Sequence, residues 1–120
     1  VTPTEIAAFN ADWLKAWTDK DVDRLCGFYA DDCVYRDPQT AAGLQGQAAL
    51  RAYLTQLFAA TPPMVYTPDE VWPIPGGFCG RWWCAIGEGG AAGRLRGFDL
   101  VLLDGDRIAL NEVYVHQLPA

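Results

Sequence analysis

The most constraining feature of this sequence is a change of hydrophobic period at Thr61-Pro62-Pro63. Before it, three segments carry apolar residues at helical spacing, and no proline falls inside any of them. Ile6, Phe9, Trp13, Leu14 and Trp17 mark the first. Thr2-Pro3-Thr4-Glu5 opens it as a cap, a proline at the first position and an acid in the first turn. Val22, Leu25, Phe28 and Tyr29 mark a second helix from Val22 to about Ala30, with Asp21 as its cap. Leu50, Tyr53, Leu54, Leu57 and Phe58 mark a third from Gln47 to about Ala60, which Pro62 and Pro63 stop.

After Met64 the spacing becomes that of strands. Met64–Ile74 is an extended segment that Pro68 and Pro73 confine to a sheet edge. Phe78–Gly87, Arg94–Leu103 and Arg107–Leu118 follow as strands, joined by Glu88–Gly93 and by the tight turn Asp104-Gly105-Asp106. One further short strand, Cys33–Arg36, lies between the second and third helices, and Gln39–Gly46 reads as a loop. Helices first and antiparallel strands after make an α+β domain with a curved antiparallel sheet wrapped over three N-terminal helices. The 120 residues form a single domain, with no repeat, linker or low-complexity stretch. Such a cone has a dry interior suited to a small hydrophobic ligand.

Composition excludes several classes. With 51% apolar and 20% charged residues the chain is globular. A net charge of −6 is unlike a nucleic-acid binder. No apolar run approaches the ~20 residues of a membrane-spanning helix. Cys26, Cys33, Cys79 and Cys84 match no zinc or redox spacing. They fit either buried thiols or two disulfides of an exported chain. The N-terminal residues lack a signal-peptide pattern, so the expected setting is cytoplasmic.

Two carboxylates fall where an apolar pattern does not ask for them. Asp37 ends the strand Cys33–Arg36 and precedes Pro38, which stops the ladder. It either faces the cavity or opens an Asx turn. Asp99 alternates onto the face of Leu95, Gly97, Val101 and Leu103. It is paired with a cation such as Arg81 or Arg107, exposed at a sheet edge, or kept neutral by burial. Asn111 lies on the otherwise apolar face of Ala109, Val113 and Val115. Trp82 and Trp83 must face opposite ways, one into the cone and one outward or towards a partner subunit. His116, the only histidine, gives no basis for a Ser-His-Asp relay or a histidine metal site.

Three segments together resemble the NTF2-like superfamily, and within it the ketosteroid isomerase/SnoaL-like group. They are Trp17-Thr18-Asp19-Lys20-Asp21-Val22-Asp23-Arg24-Leu25, Tyr29-Ala30-Asp31-Asp32-Cys33-Val34-Tyr35-Arg36-Asp37-Pro38 and Gly46-Gln47-Ala48-Ala49-Leu50-Arg51-Ala52-Tyr53. The resemblance implies the NTF2-like cone and proton transfer next to a carbonyl without metal or cofactor; the surplus indole of Trp82 or Trp83, which cannot face inward, adds the expectation of a homodimer. It implies Asp37 as the general base, a neutral Asp99 as oxyanion donor and Tyr29 as a supporting tyrosine. The group's oxyanion tyrosine corresponds here to Trp13 and another network tyrosine to Leu54, so Trp13 is the expected second donor. Tyr53, Trp82 and Asn111 are expected to line the pocket. A cyclase-type aspartate on the last strand is replaced by Val113. The rival function is a non-catalytic module that binds an apolar ligand or dimerises.

Overall fold

The computed structural model describes residues 2–119. Helix α1 spans Pro3–Asp19 and α2 Val22–Gly27; strand β1 spans Tyr29–Arg36, β2 Leu44–Gln45 and helix α3 Gln47–Ala60. Four long strands follow: β3 Met64–Ile74, β4 Gly77–Ile86, β5 Gly93–Asp104 and β6 Arg107–Gln117. They build one six-stranded sheet in the order β2-β1-β6-β5-β4-β3. It is the expected α+β cone, a curved and unclosed sheet with the helices on its concave side.

The caps are those the sequence announces. Thr2 accepts from the Glu5 amide, Glu5 reaches back to the Thr2 amide, and Pro3 occupies the first turn. This reciprocal pair satisfies two donors that a helix start otherwise leaves open. At the other end Lys20 turns left-handed (φ 53°). Its ammonium donates to the carbonyls of Phe58, Thr61 and Pro62 at 2.7–3.2 Å, tying the end of α1 to the end of α3. The edge strand β3 is anchored by its Tyr66 amide, which donates to Thr18 Oγ1 of α1 at 2.9 Å.

Three expectations need correction. Helical spacing carries the second helix to about Ala30, but α2 stops at Gly27 and Tyr29 already belongs to β1. Tertiary pairing overrides the local period: Tyr29 lies opposite Ile108, whose amide donates to Phe28 O, and Gln47 Nε2 donates to the Tyr29 carbonyl at 2.8 Å. The loop expected over Gln39–Gly46 contains β2, which pairs with Val34 and Tyr35. The sheet is also not wholly antiparallel, because β1 runs parallel to β6. A parallel neighbour requires a long crossover, here everything from β2 to β5, which no local pattern reveals.

The sheet's concave face packs Phe78, Trp82, Cys84 and Val101 against Trp13, Leu14, Leu50 and Leu54. Trp82 faces inward, and Trp83 is 39% exposed on the convex face. There the Arg96 guanidinium lies 3.6 Å from the Trp83 ring centroid, and Trp72, Phe98 and Tyr114 are exposed nearby. All four cysteines are free thiols. No helix among the described residues is long and apolar enough to cross a membrane.

Candidate functional site

A cavity of about 250 Å³ opens between the helices and the concave sheet face. Both singled-out carboxylates line it. Asp37 comes from the exit of β1 and Asp99 from the middle of β5. Six aromatic rings complete most of the wall: Trp17 of α1, Tyr35 of β1, Tyr53 and Phe58 of α3, Tyr66 of β3 and Trp82 of β4. Leu14, Leu57, Met64, Leu95, Val113 and Val115 fill the gaps.

Asp37 fulfils both readings of its position, one with each oxygen. Oδ1 accepts from the amides of Gln39 and Thr40 at 2.9 and 3.0 Å and from the Thr40 hydroxyl at 3.0 Å, which is Asx-turn chemistry. Oδ2 turns to the cavity wall and accepts from the phenols of Tyr35 at 2.9 Å and Tyr53 at 2.5 Å. Tyr35 reaches it because residues two apart share a strand face. Burial, reinforced by the bond to Asp37, pushes the Tyr53 phenol well above its ordinary range, and burial does the same for Tyr35. Both phenols therefore keep their protons and donate them to the carboxylate in hydrogen bonds.

Asp99 is 2% exposed. It has no cationic partner among the described residues: Arg81 binds Asp69 at 2.8 Å and Arg107 lies 3.6 Å from Asp31. Its oxygens accept instead from two neutral donors, the Trp82 indole at 2.5 Å and the Asn111 amide at 3.0 Å. Asn111 in turn accepts from the Tyr29 phenol at 2.9 Å. Burial raises the Asp99 carboxyl from near 4 to about 7, against the opposing pull of these two hydrogen bonds. The Trp82 bond depends on Gly97, the neighbour of Trp82 across the β4–β5 ladder. A Cβ there would stand 2.1 Å from Trp82 Cζ2, so only glycine lets the indole lie flat across the strand.

The structure brings Asp37, Asp99, Tyr53 and Trp82 to one cavity. Trp13, Tyr29 and Asn111 stand behind its wall, almost completely buried. Tyr29 and Asn111 reach the site through Asp99. The Trp13 indole N–H, the expected second donor, has no hydrogen-bond partner among the described residues, nor has Asn10 Oδ1. The lining roles of Tyr35 and Tyr66 were open to a parity argument that Asp37 and Trp82 anchor. Phe58 and Trp17 join them only through helix packing. Among the described residues no three His, Cys, Asp or Glu side chains converge as metal ligands.

The model of the SnoaL-like domain family matches residues 11–111. No curated protein matches the chain. Among solved structures, a SnoaL-like protein of unknown function from Burkholderia thailandensis superposes with a TM-score of 0.78 at 15% identity, over 97% of this chain and 98% of that one. A protein with a ketosteroid isomerase-like fold from Catenulispora acidiphila, in complex with trimethylamine, gives 0.74 at 17% identity, over 95% and 86%. The epoxide hydrolase/cyclase-like enzyme SalBIII of salinomycin pyran-ring formation gives 0.75 at 16%, over 94% and 92%. At these identities the likeness is one of fold.

Proposed function

Since this chain belongs to the SnoaL-like domain family, we propose that it is a ketosteroid-isomerase-like enzyme that moves a proton next to the carbonyl of a small hydrophobic substrate. The observation that carries the reading is the meeting of two carboxylates of unlike environment in one aromatic cavity. Pairs of acids pushed apart in this way are how one site supplies a base and an acid together, and ketosteroid isomerase is the standard example of that pattern.

Asp37 is the base. It takes a proton from the carbon beside the carbonyl, the electron pair moves to the carbonyl oxygen, and a proton, exchangeable with solvent while Asp37 holds it, returns at another carbon as the electron pair moves back. To accept it, Oδ2 must release one phenol. Tyr53 is the one free to shift, because its hydroxyl also lies 3.3 Å from Gln39 Oε1. Asp99 is the oxyanion donor. When neutral it keeps Trp82 and Asn111 as donors to its oxygens and has one proton left to offer the substrate. Burial raises its carboxyl to about 7, so it holds that proton at pH values where an ordinary aspartate has lost it. Tyr29 and Asn111 support this donor from behind. The proposal extends to a homodimer closed by the convex face around Trp83, and to a cytoplasmic setting, in keeping with four free thiols.

The rival, a ligand-binding member without catalysis, draws on one observation: every carboxylate oxygen in the site already has a donor. Solvent exchange separates the two. In D2O the protein should speed deuterium uptake at the carbons beside the carbonyl of a β,γ-unsaturated cyclic ketone. Asp37→Asn should lower that rate by about 100-fold or more. Uptake at the buffer rate with a ketone shown to bind would leave only the binding role.

A further inference from the structure

We infer that the occupant of this cavity carries a positively charged nitrogen, so that the site selects an alkylammonium group over a neutral one of the same shape. The inference rests on the reading of this cavity as the ligand site and adds the class of ligand; it does not depend on catalysis.

The aromatic wall is continuous. Tyr53 and Tyr35 have ring centroids 5.8 Å apart, Tyr35 and Trp17 6.3 Å, Trp17 and Tyr66 5.9 Å, and Tyr66 and Trp82 5.1 Å. Phe58 adds an edge contact to Trp17 at 5.6 Å. Ring faces attract cations, and sites of several rings around one point are the recurring answer to alkylated ammonium groups. Here two of the rings are phenols that donate to Asp37, which polarises them towards greater negative charge.

The charges agree with the rings. Asp37 and Asp99 line the cavity, and among the described residues no Lys, Arg or His does. The cations that lie closest along the chain are committed elsewhere. Arg36, beside Asp37, binds Glu112 at 3.2 Å, and Arg96, three residues before Asp99, binds Asp69 at 2.5 Å. A neutral apolar ligand that filled the cavity would strip water from the Asp37 carboxylate without supplying a counter-charge. An anion would add repulsion. An ammonium compensates the carboxylate and lies among the six aromatic rings as well. In a substrate of the proposed reaction, an ammonium near the reacting carbon would also make its C–H more acidic.

The test compares choline with 3,3-dimethylbutan-1-ol, which replaces the charged nitrogen by carbon at almost unchanged shape. Binding is followed by calorimetry and by the indole N–H signals of Trp17 and Trp82. Choline should bind about tenfold or more tighter than the alcohol. In Asp37→Asn the preference should fall towards parity, while retained binding of the alcohol reports an intact cavity. Equal or tighter binding of the alcohol by the unaltered protein overturns the inference, and so does binding of neither up to millimolar concentration. A preference undiminished in Asp37→Asn overturns the carboxylate's part in it. Choline selectivity without deuterium uptake into a ketone would refute the catalytic reading and leave this one standing.

Discussion

Asp99→Asn replaces the buried carboxyl by a neutral group of the same shape, and the structure sets the size of its effect on stability. The Asp99 carboxyl lies at about 7 in the folded protein and near 4 in an unfolded chain. The difference of roughly three units corresponds to about 4 kcal/mol. The sign follows from the direction of the shift. Below about pH 4 both states hold the proton, and Asp99 costs the fold nothing through ionisation. Between about pH 4 and 7 the unfolded chain releases the proton while the folded one keeps it, so stability falls as pH rises, and above about pH 7 the loss is complete. Urea unfolding of the parent and of Asp99→Asn across this range isolates the term, because every other titrating group is common to both. Asn keeps an acceptor for Trp82 but disturbs the Asn111–Tyr29 pair, a constant cost of about 1 kcal/mol. The variant should therefore be slightly less stable than the parent in acid. It should gain on the parent by about 4 kcal/mol on passing to pH 8, ending about 3 kcal/mol more stable. Parallel curves would show that Asp99 titrates as an ordinary aspartate, which would remove the neutral donor from the proposed mechanism.

Two other outcomes follow from the packing. Gly97→Ala places a methyl where Trp82 lies, so the indole must leave Asp99. Chemical denaturation should show a loss of about 3 kcal/mol or more, and the hydrogen-bonded indole N–H signal should disappear from the NMR spectrum. Trp83→Glu on the convex face should convert a homodimer to a monomer by light scattering at micromolar concentration without unfolding it; a parent of monomer mass would remove the dimer from the proposal.

Much of the architecture was written in short-range patterns. The helices of Pro3–Asp19 and Gln47–Ala60, the edge position of the proline-bearing β3 and the turn at Gly105 each depend on residues within a few positions of one another. So does the opposite facing of Trp82 and Trp83, since alternation leaves no third choice, although which of them points inward was settled only by the fold. Tyr35, two residues before Asp37, was within reach of the same argument. Where the second helix gives way to β1 was not, because the partner that draws Tyr29 into a strand is Ile108, far along the chain.

The sequence by itself determined which polar groups would be difficult to bury: Asp99 on an apolar face and Asp37 at a strand exit. A carboxylate's cost in such a place follows from its chemistry and the apolar residues around it. How each cost is met was decided only by tertiary structure. Both alternatives open for Asp37 turned out to hold, one for each oxygen, because α3 delivers Tyr53 to Oδ2 while the local turn takes Oδ1. For Asp99 the candidate cations Arg81 and Arg107 went to Asp69 and Asp31, and Trp82, Asn111 and Tyr29 took their place. Alternation along a strand states which face a side chain occupies. It says nothing of which neighbour stands opposite at that depth, and that is set by strand register and by a single missing Cβ at Gly97.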